Sequence, residues 1–417
     1  MNHLCVVLDR LQLGYLGCFG NTWTATPAVD RFAAGSALFH RAYADTVDLA
    51  EAYESLWRGS HRLERVLGVA PSGPSLVESA RAAGCHTLLI TDDPTVGGHV
   101  AGAAFDDSVV LDPPEGPIEP AATVDVTQTA RLFAEALERL SGLPEPFFVW
   151  IHAQALEGAW DAPAMFRDRY VDEDDPPAPT FTRLEPRRLS ADVDLDERFG
   201  IYQAYAGQVT LVDACLGGLL EHLEESGLDA RTNLGLLSPR GMPLGEHLVV
   251  GAIEEQLHVA AVQVPWLLRT PNRPIVRGRS QALVQTPDWY AAWRELLGSP
   301  PVTPRFGCRS FLPIVADDAS GTRDRAVVVG TRETGIATPA WYLRTVAADD
   351  VAATHEPAAD QLFVKPDDFW EASDVAPRCL DVVDGLRQLH DATRAALAAG
   401  REPEPLPDDD VLRNGIA

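Results

Sequence analysis

Five short, uninterrupted apolar runs constrain this chain more than any other feature. Residues 4–8, 87–91, 147–152, 234–238 and 264–268 are dominated by Leu, Val, Ile, Phe and Trp. A strand with one wet face alternates apolar and polar residues; an unbroken run of this length predicts a strand covered on both faces, as in a sheet flanked by helices. Between the runs lie helical periods with recognisable ends. Thr26 is placed to cap, and Pro27 to open, a helix through Val29, Phe32 and Ala33 that stops at Gly35. Residues 75–83 before Gly84, 127–140 before Gly142 and 206–225 before Gly227 read the same way. In the last of these, Val209, Val212, Leu216, Leu219, Leu220 and Leu223 form one apolar stripe, predicted to be core.

Strand and helix in alternation predict an α/β fold, a doubly wound sheet with helices on both faces. Ligands of such sheets sit beyond the carboxyl ends of the strands. Those ends carry Asp9 and Arg10, Asp92 and Asp93, His152, and Pro239 and Arg240. Residues 172–197, rich in Asp, Glu and Pro without helical or strand periodicity, predict a long surface loop. Beyond residue 320 the pattern changes: 325–330, 341–346 and 361–364 read as antiparallel strands, followed by a helix over 379–398. The expected organisation is therefore a main domain over 1–320 and a small C-terminal α+β subdomain over 321–417. Trp289 and Trp293 fall in a further helix, where core is expected.

Composition excludes several functions. With 417 residues, 46% of them hydrophobic, the chain can bury a large core. A formal net charge of −27 opposes binding to nucleic acid or to an anionic membrane, both of which need clustered cations. No apolar stretch approaches the roughly 20 residues of a membrane span, and the opening MNHLCVVLDR is too short for a signal segment, so a cytoplasmic location is expected. The six cysteines are scattered singly, which predicts reduced thiols. Lys365 is the only lysine; every other fixed cation is an arginine.

Beyond these patterns, the segment VVLDRLQLGYLGCFGNTWTATPAVDRFAAGSALFHRAYA resembles the amino-terminal part of the sulfatase family, of the alkaline-phosphatase-like superfamily. FFVWIHAQALEGAWDAP, then GQVTLVDACLGGLLEHLEESGLDARTNLGLLSPRGMPLGEH, VPWLLRTP, ALVQTPDWYAAWRELLG and QLFVKPDDF continue the likeness in collinear order over nearly the whole chain. The resemblance implies the alkaline-phosphatase-like fold. It also implies an active site: a formylglycine made from the first residue of a C/S-x-P-x-R motif, a divalent ion held by four hard ligands, and lysine and histidine contacts to sulfate.

Against that template the chemistry is missing. Counting back from Gly59, Leu49 stands where the Cys or Ser belongs, Glu51 replaces the proline and Tyr53 the arginine. Thr46 or Ser55 could supply a hydroxyl only in a shifted register. Of the four ligand positions Asp9 alone survives; Arg10 replaces the second aspartate, and Pro239 and Arg240 the later pair. Guanidinium groups donate only and repel a cation. Asp92 and Pro94 fall where a sulfate-binding Lys and His belong, and Lys365 lies too far along the chain to replace the second lysine. His152 matches a family histidine near the sulfate, and Glu246 and His247 a turn expected to be structural.

These residues predict a pseudoenzyme that keeps the fold. Arg10 and Arg240 are expected to flank Asp9 in the cation's place, with surplus positive charge available to a small anion; Asp9, Arg10, Arg240 and His152 are the candidate binding residues. No metal or other cofactor is expected, calcium being the ion implied if the site is intact. The enzyme alternative is a divergent sulfuric or phosphoric ester hydrolase, with Thr46 and His152 as candidate catalytic residues. A third reading is an interaction subunit that meets a protein partner through the acidic loop around residues 172–175.

Overall fold

A computed structural model describes residues 1–113, 119–251, 256–273, 275, 278–303, 305–317, 322–346 and 360–415. The expected boundary at 320/321 lies outside them. Fourteen strands occur among the described residues: β1 (Asn2–Leu8), β2 (Ala37–Tyr43), β3 (His86–Thr91), β4 (Asp107–Val110), β5 (Phe147–Ala153), β6 (Arg187–Arg188), β7 (Thr232–Leu237), β8 (Val249–Val250), β9 (Trp266–Arg269), β10 (Arg279–Gln285), β11 (Ala326–Val329), β12 (Glu333–Ala337), β13 (Trp341–Val346) and β14 (Gln361–Val364). All five apolar runs are strands of one eight-stranded sheet, ordered β10-β2-β9-β7-β1-β5-β3-β4. It is parallel apart from β9, which runs antiparallel to both β2 and β7.

The two-residue period of a strand explains why the runs had to be apolar throughout. In β1, Leu4, Val6 and Leu8 pack on the side of the helices Pro27–Ala34, Gln128–Leu140 and Leu195–Glu225, while Cys5 and Val7 pack on the side of Leu49–Arg58, Leu76–Ala82 and Thr286–Leu296. Trp289 and Trp293 are fully buried in the second cluster. All six cysteines are free thiols.

Two helix starts differ from expectation. Thr26 does not cap its helix: its hydroxyl accepts from Gly17 N at 2.9 Å, and the amides of Ala28 and Val29 donate to Asp213 at 3.0 and 2.9 Å. The long helix begins at Leu195, not Ala206, with the Asp194 side chain accepting from Asp196 N. The loop ahead of it is shorter than expected and contains β6, which pairs with β8.

The C-terminal part is a four-stranded antiparallel sheet, β11-β12-β13-β14, with the helix Leu380–Ala398. Its strand β12 was not legible because Gly335 interrupts a five-residue segment. Ala326, Val328, Tyr342 and Phe363 of this sheet share a core with Tyr43, Val47, Leu257 and Val262. Among the described residues no helix is long and apolar enough to cross a membrane.

Candidate functional site

The ends of β1, β3, β5 and β7 converge, because neighbouring parallel strands finish at one edge of the sheet. Asp9 follows β1 and is fully buried. Arg240, three residues beyond β7, grips it in two places: Nε donates to Oδ1 at 3.0 Å and Nη2 to Oδ2 at 2.9 Å. A third donor, Nη1, reaches Val47 O at 3.1 Å in the loop ahead of the helix Leu49–Arg58. Burial pushes the Asp9 carboxyl up, and the facing Arg240 overcomes it, so the group sits below its ordinary range.

Arg10 does not bond to Asp9. Its backbone takes φ 63°, a left-handed turn that swings the side chain away. Its Nε donates to Glu157 at 2.8 Å and its Nη1 to Gly241 O at 3.1 Å. Glu157 also lies 3.7 Å from Arg240. Two guanidiniums and two carboxylates thus balance, and the surplus positive charge expected from the sequence is cancelled by Glu157. Nothing local in the sequence marked that residue, since it reaches the site from a turn four positions past β5.

His152, the last residue but one of β5, is fully buried. Trp150 Nε1 donates to the Tyr53 hydroxyl at 3.1 Å, and that hydroxyl meets His152 Nδ1 at 2.7 Å. An indole only donates, so the tyrosine proton is free to point at Nδ1, which places the imidazole proton on Nε2. That Nε2 has no hydrogen-bond partner among the described residues. Burial holds the ring's pKa below its usual value against the pull of Asp9 and Asp93.

Leu49 opens its helix, with Asp48 as the cap accepting from Glu51 N at 2.9 Å, and its side chain joins the core with Tyr53, one turn on. The Thr46 hydroxyl accepts from Asp48 N at 3.3 Å. Asp93 accepts from Thr95 N and Val96 N, while Asp92 accepts from Gln154 N at 2.7 Å and is raised by burial to about 6.

Among the described residues two groups place three ligand-capable atoms within 4.8 Å of one another: Asp9, Asp93 and His152, and His247, His258 and Glu371. Neither donor set fits a divalent cation. In the first, Arg240 covers both Asp9 oxygens. In the second, His258 is occupied at both nitrogens, Nε2 accepting from Arg344 at 3.0 Å and Nδ1 donating to Glu371 at 2.8 Å. Burial, then Arg344 and Lys365, lower its pKa to about 2. Lys365 joins this group, its ammonium 3.3 Å from Glu371. The fold therefore brings the sole lysine to the turn carrying His247, a convergence that the sequence separation hid.

The chain belongs to the sulfatase family, whose model matches residues 1–299. No curated protein matches the sequence. Solved structures share the fold at low identity. The phosphonate monoester hydrolase of Agrobacterium radiobacter superposes with a TM-score of 0.77 at 18% identity, covering 95% of this chain and 96% of that one. A protein solved with its substrate D-glucosamine-2-N,6-O-disulfate gives 0.72 at 16%, with 96% and 99% covered. The phosphonate monoester hydrolase of Silicibacter pomeroyi gives 0.71 at 17%, with 95% of each covered.

Proposed function

We propose that this chain is a sulfatase-family pseudoenzyme, in which arginine side chains have taken over the place of the divalent ion. The observation that carries the reading is the buried, two-point Arg240–Asp9 pair, at 3.0 and 2.9 Å. A carboxylate whose two oxygens are both held by a guanidinium offers little to a metal. With Leu49 at the attacking position, neither a nucleophile nor a Lewis acid is supplied to an ester. The four-charge cluster acts instead as a lock that keeps the strand ends together.

One arrangement favours the alternative of a divergent sulfuric or phosphoric ester hydrolase. Asp9, Asp93 and the unpartnered His152 lie close enough to share an ion if Arg240 withdraws. Elemental analysis of purified protein, with turnover of aryl sulfates, phosphate monoesters and phosphonate monoesters, separates the two. The pseudoenzyme reading expects no stoichiometric metal and no rate above that of Asp9→Ala. Bound calcium or magnesium with turnover lost in Asp9→Ala overturns it.

A further inference from the structure

A cavity of about 530 Å³, lined by none of Asp9, Arg10, His152 or Arg240, opens between the segment 13–23, strand β2 and the turn 365–370. That volume is ordinary for a small-molecule site. Trp23 and Trp370 stand at its rim, 41% and 46% exposed, in a chain whose other large aromatic side chains are mostly buried. Both also border an adjoining hollow of about 380 Å³, so the two indoles divide one longer cleft. Trp23 packs on one side against Tyr170 and Phe199, and Trp370 against Phe369 and Gly14, yet each leaves part of its apolar ring open at the cavity mouth.

The charge of the lining is the second observation. Although the chain carries 61 acidic residues, no Asp or Glu lines the main cavity among the described residues, while Arg41 and Lys365 do; Glu246 lines only the adjoining hollow. Lys365 donates to Asp368 O and Phe369 O at 2.9 and 3.3 Å and forms an ion pair with Glu371, so its charge is balanced. It is a staple that shapes the turn bearing Trp370, not a nucleophile. Arg41 is different. Its described partners are two carbonyls, Pro339 O at 2.7 Å and Thr338 O at 2.6 Å. Two of its five donors are engaged, and among the described residues no carboxylate neutralises it. Among the described residues the Tyr43 hydroxyl, beside Arg41 in a fully buried residue that also lines the cavity, has no hydrogen-bond partner. Gln263 and Gln281 add side-chain amides to the wall.

We propose that this cleft binds a small organic anion built on a ring, its face against Trp23 or Trp370 and its anionic group toward Arg41. The inference does not depend on whether the Asp9 site is catalytic. An aromatic carboxylate and a sugar acid share the required chemistry. Calorimetric titration of the full chain with 4-hydroxybenzoate and with glucuronate distinguishes them, with glucose and inorganic sulfate as controls for ring alone and charge alone. At least one ring anion is expected to bind with a Kd below about 1 mM. Trp23→Ala or Trp370→Ala should weaken it about tenfold or more, and binding unchanged in both variants overturns the proposal. Gln281→Trp places a bulky ring on an exposed β10 position and should block the cleft without disturbing the core; it decides the matter if Trp23→Ala fails to fold. Binding that survives Gln281→Trp, sulfate binding as tight as either ring anion, or no binding of either at millimolar concentration overturns the proposal.

Discussion

At the residue scale, a buried ion pair is defined by what happens when half of it is removed. Arg240→Met leaves the Asp9 carboxylate without its two donors in a site that excludes water. The expected loss is about 3–5 kcal/mol, read from urea unfolding midpoints. Asp9→Asn combined with Arg240→Met removes both charges, and is expected to lose clearly less than Arg240→Met alone, the sign of coupling in a double-mutant cycle. A neighbouring carboxylate behaves in the opposite way with pH. Asp9 has a lowered folded pKa, so its contribution is present above the ordinary carboxylate range and fades as pH falls through the folded value. Asp92 is raised by burial from 3.8 to about 6. Its contribution is therefore complete below pH 3.8 and lost as pH rises to about 6, worth roughly 3 kcal/mol over that window. Asp92→Asn keeps an oxygen for Gln154 N and should flatten that part of the stability profile; an unchanged slope between those pH values would remove Asp92 as its source.

At the element scale, the start of the helix Leu49–Arg58 shows what a sequence does and does not disclose. The proposed loss of a nucleophile at Leu49 rests on a spacing from Gly59 that is local, and Leu49 sits at the first helical position behind the Asp48 cap. Placing a hydroxyl there by Leu49→Ser is expected to give no ester turnover above the Asp9→Ala background, since Arg240 holds both Asp9 oxygens against a metal ion; measurable hydrolysis would mean that only the nucleophile had been lost. The apolar runs were equally readable, because burial on both faces removes alternation from the sequence itself. Pairings set by convergence were not. Glu157 meets Arg10 across 147 positions, and Asp213 caps the helix Pro27–Ala34 across 184 and 185. The first turns of Leu195–Glu225 were hidden for another reason: Asp196, Glu197 and Arg198 give that end a loop-like composition, and only the Asp194 cap marked it.

At the scale of the whole molecule, the C-terminal sheet reads as a separate unit in sequence but shares its interior with the rest. Tyr342 stacks with Tyr43 at 6.0 Å between ring centres, and Gln285 donates to Val327 O while accepting from Val327 N. Buried Arg323 donates through Nε to Asp288 at 2.6 Å, and Asp288 in turn accepts from Gln285 N and Arg309 N. Cutting the chain at 320 would leave Asp288 buried without its cation and open Tyr43, Val47, Leu257 and Val262 to water. Each apolar side chain so exposed forfeits about 1.5–3 kcal/mol, and an abandoned buried carboxylate adds a penalty of similar size or larger. Against a typical stability of about 5–15 kcal/mol the sum is too large for a fragment to bear. The full chain is therefore expected to unfold in one calorimetric transition with matching calorimetric and van't Hoff enthalpies, and the 1–320 fragment to show none. Two resolved transitions, or cooperative melting of that fragment, would establish two independently stable domains.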